Sequence, residues 1–203
     1  EFERRTTYYP ELCLVQIATS KSIACVDPIL CENIGPLVVF LNDSSRTKIL
    51  HAARQDLEVL ELKGVCVEEA FFDNQIGAAL LGQDDQIGYG DLARNLLSIE
   101  LDKNQQQTNW KRRPLKSRQL RYAASDVRYL LPIHSILNDK LLECGRSKWL
   151  EEECTNLVAK TKSIPPDHAW KRLKNISRLK EDVALRACSL ANWREAESRK
   201  VNT

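Results

Sequence analysis

The stretch Leu12-Cys-Leu-Val-Gln-Ile-Ala18 decides the fold class, because a short apolar run bounded by polar residues is typical of a buried β-strand. Similar runs recur at Ile23 to Val26 and at Lys48 to Ala52. Between and after them, helical periodicity is present around Ile34 to Leu41 and from about Asp56 to Leu62. Strands that alternate with helices predict an α/β fold.

The alternation continues along the chain. A short strand is predicted over Val67 to Phe72, and helices are predicted over Gln75 to Leu81 and Asp91 to Leu97. From Ser117 to about Cys144 the helical period is interrupted only by Pro132. Because proline has no amide hydrogen, this residue predicts either a kink or two separate helices.

The chain of 203 residues is long enough for one domain and part of another. After Gly145 the composition becomes polar, and Ile164-Pro-Pro-Asp167 predicts a linker whose final aspartate caps a new helix. We therefore divide the chain into a first domain at 1–150, a linker at 151–166 and the start of a small all-helical domain at 167–203. Two amphipathic helices are predicted in this last segment, with apolar positions at Trp170, Leu173, Ile176 and Leu179, and then at Val183, Ala187, Leu190 and Trp193.

The composition excludes several classes of protein. Hydrophobic residues make up 43% of the chain and charged residues 29%, which argues against a disordered or fibrous protein. No apolar run approaches the ~20 residues that cross a bilayer, and no signal segment opens the chain. The seven cysteines form no CxxC pair, so reduced thiols are expected. These features predict a cytoplasmic protein that binds no membrane.

Charge is nearly balanced over the whole chain, with a net value of +2, but it is concentrated locally. Residues 103–128 carry eight lysine and arginine side chains against the single acid Asp126. Such a block either binds phosphates or forms a solvated helix face, and the sequence leaves both interpretations open. Its cations are Lys103, Lys111, Arg112, Arg113, Lys116, Arg118, Arg121 and Arg128.

Three acids and a tyrosine are the candidates for chemistry. Tyr122 and Asp126 lie four residues apart in a predicted helix, so both side chains occupy one face. Asp56 follows a predicted strand end, where α/β proteins place ligand sites, although an aspartate that opens a helix is also a common N-cap. Glu1 is a further acid that has no significance when it is taken alone.

Taken together and in this order, these residues resemble the ribonuclease D family of 3′-to-5′ exonucleases, whose active sites use four acidic residues and a tyrosine. The matching segments are Glu1-Phe2, His51 to Asp56, Phe72 to Gln75, Leu101 to Lys103, Asn109 to Leu115, Tyr122 to Asp126 and, for the helicase-and-RNase-D C-terminal (HRDC) domain, Asp167 to Trp170. The resemblance implies a ribonuclease H-like exonuclease domain, with a mixed sheet flanked by helices, followed by the start of the helical HRDC domain.

The resemblance also implies an activity. It is hydrolysis of RNA from a single-stranded 3′ end, as in tRNA precursors, with release of nucleoside 5′-monophosphates and with two divalent metal ions, Mg or Mn, as cofactors. By this likeness Glu1 and Asp126 bind the ion that activates water, Asp56 acts on the second ion, and Tyr122 orients the water. The first family motif is Asp-x-Glu and this chain begins at its Glu, so the first catalytic Asp is expected before Glu1. A monomer is expected.

Five further residues are candidates for contacts with the RNA. Lys103 and Arg113 are basic positions of the family connector, and Phe2 is placed to stack on the terminal base. His51 belongs to the second motif. Trp110 is either a stacking platform or a core aromatic residue.

Two other functions remain open from the sequence. One is a binding module for nucleic acid with an inactive nuclease fold, and the other is a DNA 3′-5′ exonuclease. Both nuclease hypotheses require metal ions for activity, whereas a binding module does not.

Overall fold

The apolar runs of the first half form short strands, as the alternation predicts, in a computed structural model that describes residues 1–67, 70–102 and 108–202. The strands are β1 (Phe2–Glu3), β2 (Glu11–Leu12), β3 (Val15–Ala18), β4 (Ile23–Val26), β5 (Lys48–Leu50) and β6 (Phe71–Asp73). Strand β3 pairs antiparallel with β4, whereas β5 pairs parallel with β6. The α/β class is therefore confirmed, with both strand orientations present in separate two-stranded sheets.

The apolar run from Leu12 to Ala18 is divided between two strands, β2 and β3. At the break, the amide nitrogens of Cys13 and Leu14 both donate to the carbonyl oxygen of Glu1, at 2.9 and 3.1 Å. These two donors are therefore not available to a neighbouring ladder. Both side chains are buried, so the interruption does not expose the apolar run.

The helices of the first half and of the long helical segment are close to their predicted positions. They are α1 (Gly35–Asn42), α2 (Arg54–Glu61), α3 (Asn74–Leu80), α4 (Tyr89–Leu97), α5 (Ser117–Arg128) and α6 (Leu130–Glu143). Helix α7 (Ser147–Thr161) was not predicted. The helical segment expected to kink or divide at Pro132 is divided at Tyr129. A continuous helix would need a hydrogen bond from the nitrogen of residue 132 to the carbonyl of Arg128, which proline cannot donate.

By its internal contacts the described chain forms two compact units. The first unit comprises Glu1–Glu3 and Leu12–Thr161, and the second comprises Arg4–Glu11 and Lys162–Thr203. The expected linker at 151–166 is corrected by helix α7, which continues to Thr161. The polar composition of 151–161 reflects a helix with only two buried side chains, Leu150 and Cys154, and not an extended connection.

The core of the first unit lies among helices α3, α4, α6 and α7. Its fully buried side chains include Leu92, Ile133, Leu137 and Leu141. Helix α5 packs instead against strands β3 and β4. The packing of α5 on β3 and β4 places Tyr122 and Asp126 beside the strands that follow Glu1.

The second unit ends in one long helix, α8 (Glu181–Val201), preceded by two 3-10 helices at Pro166–Arg172 and Ile176–Arg178. The first predicted amphipathic helix is therefore wrong, because Trp170 and Ile176 fall in two separate 3-10 helices, and Leu173 and Leu179 are the residues that follow them. Asp167 does not cap a helix, since the position before the first 3-10 turn is Pro165. The likeness of 167–203 to an HRDC domain stays a prediction.

The segment Arg4–Glu11 is joined to the rest of the second unit by a hydrogen bond to a buried carboxylate. Glu195 is only 4% exposed, and it accepts hydrogen bonds from the Tyr8 hydroxyl and from Arg199, the latter at 2.9 Å. No sequence pattern predicted this contact between residues nearly the whole chain apart.

None of the helices in the described ranges has the length and apolarity needed to cross a membrane.

Candidate active site

A cavity of about 430 Å³ lies within the first unit and brings together most of the predicted site residues. Its walls come from the start of the chain, from the β5–α2 connection, from the start of α4 and from α5. The predicted residues that line it are Glu1, Phe2, His51, Asp56, Tyr122 and Asp126. Acids separated by 125 positions in the sequence therefore share one pocket.

Glu1 is held at the cavity by its own backbone. Its nitrogen donates to the carbonyl of Leu14 at 2.7 Å, and its carbonyl accepts from the amides of Cys13 and Leu14. The interruption between β2 and β3 is thus the feature that anchors this residue.

Asp56 is the third residue of α2, not its cap, because the helix begins at Arg54 after an N-cap at Ala53. The capping interpretation is therefore wrong. Its carboxylate lines the cavity instead. Burial raises the pKa of Asp56, and the negative charges of Glu1 and Asp73 raise it further.

Asp73 fixes the turn that carries His51 and Asp56, whereas the sequence analysis matched its segment to the family without giving it a role. Its carboxylate accepts hydrogen bonds from the amides of Ala52 and Ala53 at 3.1 and 2.9 Å, and from Gln75 at 2.8 Å. Ala52 has a φ of 54°, a left-handed conformation that a non-glycine residue adopts only when its surroundings hold it there. Asp73 is only 1% exposed, so this support is internal to the fold.

Tyr122 and Asp126 share one face of α5, as their spacing predicts, and both line the cavity. The pKa of Asp126 is raised to about 7, first by burial and then by the charge and hydrogen bond of the Glu1 carboxyl group. A hydrogen bond from the Tyr122 hydroxyl acts in the opposite direction and lowers this pKa. Asp126 is therefore a crowded carboxyl group in contact with both a second acid and a phenol.

His51 has a fixed and neutral imidazole ring. Its Nε2 lies 3.0 Å from the carbonyl oxygen of Ile87, which can only accept, so Nε2 carries the hydrogen. Burial lowers the pKa of His51. The same carbonyl accepts from Gln75 Nε2 at 3.0 Å. His51 therefore forms a fixed part of the cavity wall, and its Nδ1 atom is buried.

Tyr89 is a cavity residue that sequence reasoning missed. Its hydroxyl donates to the carbonyl of Ser125 at 3.1 Å and accepts from the amide of Tyr129 at 3.0 Å. In an unbroken helix these two backbone groups would bond directly to each other. Tyr89 therefore inserts its hydroxyl into the α5–α6 boundary beside Asp126. The only local signal was an aromatic residue between Gly88 and Gly90, which also line the cavity.

Two of the predicted RNA contacts are corrected by the structure. Trp110 is 2% exposed and packs with Cys13, Leu14 and Ala123, so it is a core aromatic residue that lies under Tyr122. Lys103, a further predicted contact, lies outside the described residues.

Arg113 has a structural role, because its guanidinium group donates its hydrogen bonds to acceptors within the protein. Its guanidinium bonds to both carboxylate oxygens of Asp27, at 2.6 and 2.7 Å, and to the carbonyls of Cys13 and Trp110. These hydrogen bonds hold the pKa of Asp27 below its usual range. Since the donor groups are directed to protein acceptors, Arg113 is not available to bind a phosphate.

Residues 1–67, 70–102 and 108–202 contain no group of three His, Cys, Asp or Glu side chains that are close enough together to hold a metal ion. The acids of the cavity instead form one close pair, Glu1 with Asp126, and a more distant electrostatic partner, Asp56. Other polar residues on the walls, which the sequence did not single out as candidates, are Gln16 and Asp102.

Comparison with known proteins gives a match to the part of the chain that forms the cavity. A family model described as 3′-5′ exonuclease matches residues 1–142. Ribonuclease D from Zymomonas mobilis is 38% identical over 205 residues, which cover 100% of this chain and 52% of that protein. The chain thus spans about half the length of the curated relatives it matches.

Solved structures agree with the sequence comparison. The crystal structure of Escherichia coli RNase D, described as an exoribonuclease involved in structured RNA processing, has a TM-score of 0.91 and 34% identity, and it covers 100% of this chain and 54% of that one. Brucella melitensis NrnC with bound Mg²⁺ has a TM-score of 0.67 and 27% identity, covering 79% of this chain and 80% of that one.

Proposed function

Because this chain belongs to the 3′-5′ exonuclease family, we propose that it carries the active site of an exoribonuclease that hydrolyses RNA from a single-stranded 3′ end. The observation that carries the proposal is the meeting of Glu1, Asp56, Tyr122 and Asp126 in the walls of one cavity. The likeness to Escherichia coli RNase D over the whole chain supports RNA as the substrate class. The products are nucleoside 5′-monophosphates, and tRNA precursors are the proposed natural substrates of a monomeric, cytoplasmic enzyme.

The acids of the cavity fit divalent metal ions, and two ions, Mg or Mn, are part of the proposal. Hard cations prefer carboxylate oxygens, which Glu1, Asp56 and Asp126 supply. The raised pKa of Asp126 beside Glu1 is the response expected of crowded carboxylates that are not neutralised by a cation. The magnesium-bound structure of NrnC supports the same ion class.

For the individual acids we propose the roles that the family resemblance implies. Glu1 and Asp126 would hold the ion next to the attacking water, and Asp56 would act on the second ion through bound water. When bound, such ions lower the pKa of water and stabilise the leaving 3′ oxygen.

Tyr122 orients the attacking water in this proposal. A phenol has a pKa near 10, so it stays protonated at neutral pH and donates or accepts a hydrogen bond without acting as a full base. Its contact with Asp126 keeps the hydroxyl at the carboxylate that would hold the water-activating ion.

The RNA end would enter between apolar and rigid walls. Phe2 lines the cavity directly after Glu1, where its ring can stack on the terminal base. His51 is fixed by Ile87 on another wall and would limit how far the terminal nucleotide enters.

The test is an assay of the protein expressed from its complete open reading frame. Single-stranded RNA labelled at its 5′ end is incubated with Mg²⁺ or Mn²⁺ and, separately, with a chelator. We expect a ladder that shortens by one nucleotide at a time, with nucleoside 5′-monophosphates released only when metal is present. RNA that binds but stays intact would identify a binding module, and preferential release from single-stranded DNA would identify a DNA exonuclease.

A further inference from the structure

The basic block at 103–128 is only partly used by the site described above. Within its described part, Arg113 is committed to Asp27, whereas the arginines of helix α5 have a different environment. Arg118, Arg121 and Arg128 are all exposed. These three residues are called the arginine stripe below.

The arginine stripe runs along the helix that carries the candidate catalytic residues. Positions 118, 121, 125 and 128 follow one side of an α-helix, because residues three and four apart are neighbours on its surface. Tyr122 and Asp126 each follow a position of this stripe by one residue, so they occupy the adjoining side. At a rise of 1.5 Å per residue, the stripe extends about 15 Å along α5, past both cavity residues.

The ion pairs of the described residues distinguish the arginine stripe from two other arginines of the first unit. Arg46 forms an ion pair with Asp43, and Arg94 forms ion pairs with both Asp91 and Glu100. In the described part of the chain, none of the three stripe guanidinium groups forms an ion pair with a carboxylate. Like charges at such spacings lower the stability of a helix, so folding alone does not explain this arrangement.

We propose that the arginine stripe binds the phosphate backbone of the RNA strand whose 3′ end occupies the cavity. This inference rests on the proposed function and extends it from the terminal nucleotide to the nucleotides before it. Guanidinium groups match phosphate oxygens with two parallel hydrogen bonds, and exposed arginines are free to do so. A substrate of two nucleotides would fill the cavity without reaching most of the stripe, whereas a longer strand would engage it.

The stripe variant is Arg118→Gln, Arg121→Gln and Arg128→Gln combined. Its matched control is Lys63→Gln, Lys140→Gln and Lys160→Gln combined, which removes the same charge from exposed positions on other parts of the first unit. Neither set includes a residue of the cavity wall. Circular dichroism and thermal unfolding of both variants show whether they are folded.

The measurement is the affinity for a single-stranded RNA and for a dinucleotide, in a chelator, over a range of salt concentrations. Each phosphate contact contributes about −0.7 to the slope of log K against log salt for single strands, so the stripe variant should lose about 2 from this slope. The control variant should keep the slope of the parent protein. Both variants should keep the parent affinity for the dinucleotide.

Two results would overturn the inference. Equal loss of slope in the two variants would mean that bulk charge, not the stripe, attracts the strand. Equal loss of dinucleotide affinity and long-strand affinity in the stripe variant would mean that these residues act through the cavity. Because binding is read without catalysis, a parent protein that binds RNA but releases no nucleotide with metal overturns the proposed function separately.

Discussion

Tyr89 donates its hydroxyl hydrogen to the carbonyl oxygen of Ser125, 3.1 Å away, and so occupies the acceptor that an unbroken helix would offer to Tyr129. The Tyr129 amide is bonded to the same hydroxyl at 3.0 Å. One side chain from α4 therefore contributes to the end of α5 at Arg128, two residues after Asp126. This relationship couples the position of a candidate catalytic acid to a residue 37 positions earlier in the chain.

Removing the Tyr89 hydroxyl should loosen this boundary. Tyr89→Phe leaves the Ser125 carbonyl and the Tyr129 amide without their partner, which should lower the free energy of unfolding by about 1–3 kcal/mol. The nucleotide release rate should fall because Asp126 is less well held. Urea unfolding and single-turnover assays measure the two effects. Unchanged values for both would mean that the two backbone groups bond directly when the hydroxyl is absent.

Tyr122→Phe should separate catalysis from binding. Without the hydroxyl that orients water, the nucleotide release rate should fall by about 10²-fold or more, while RNA affinity stays at the parent value. The matched control is Tyr129→Phe, since Tyr129 directly follows helix α5 but does not line the cavity. Release at the parent rate by the Tyr122 variant would remove this residue from the mechanism.

Asp73→Asn should destabilise the fold through the β5–α2 turn. The amide group that replaces one carboxylate oxygen cannot accept all three backbone hydrogen bonds, and the lost charge weakens the remainder, so we expect a loss of about 2–4 kcal/mol. Asp84→Asn is the control, because Asp84 is exposed and accepts an amide hydrogen bond from Gln86. Chemical unfolding compares the two variants, and similar small losses would contradict the role of Asp73.

Stability should depend on pH and metal through Asp126. Its pKa is about 7 in the folded protein against 3.8 for an ordinary aspartate, so the folded state holds more protons between these values. Stability in a chelator should therefore fall as pH rises from about 4 to about 7. Asp56 contributes in the same direction.

Two further measurements identify the group responsible for this dependence of stability on pH. Mg²⁺ should raise the thermal midpoint more at pH 8 than at pH 5, because it binds the ionised carboxylates. Asp126→Asn should reduce the decline with pH measured in the chelator. A decline of the same size in this variant would assign the effect to other groups.

Arg113→Gln should act on stability and not on RNA binding. The variant loses both hydrogen bonds to Asp27 and leaves that carboxylate without its cation, which should cost about 2–4 kcal/mol. The folded protein should keep the salt dependence of RNA binding. A reduced salt slope, measured by fluorescence anisotropy, would return Arg113 to the set of phosphate contacts.

Local patterns in the sequence were sufficient for the elements and for part of the site. Apolar runs and helical periodicity depend on near neighbours in the chain, so most helices and strands were predicted to within a few residues. The pairing of Tyr122 with Asp126 was predictable for the same reason, because residues four apart on a helix share a face. The resemblance to an exonuclease family then supplied Glu1 and Asp56 as their partners.

The roles of Arg113, Trp110, Asp73 and Tyr89 were decided by tertiary structure alone. A guanidinium or an aromatic ring suits either a buried network or a ligand, and the choice depends on the groups that surround it. The partner of Arg113 is 86 residues away, and the bridge from Tyr89 depends on the packing of α4 against the end of α5. Local sequence determined which side chains could do chemistry, whereas long-range packing determined which of them face the cavity and which support it.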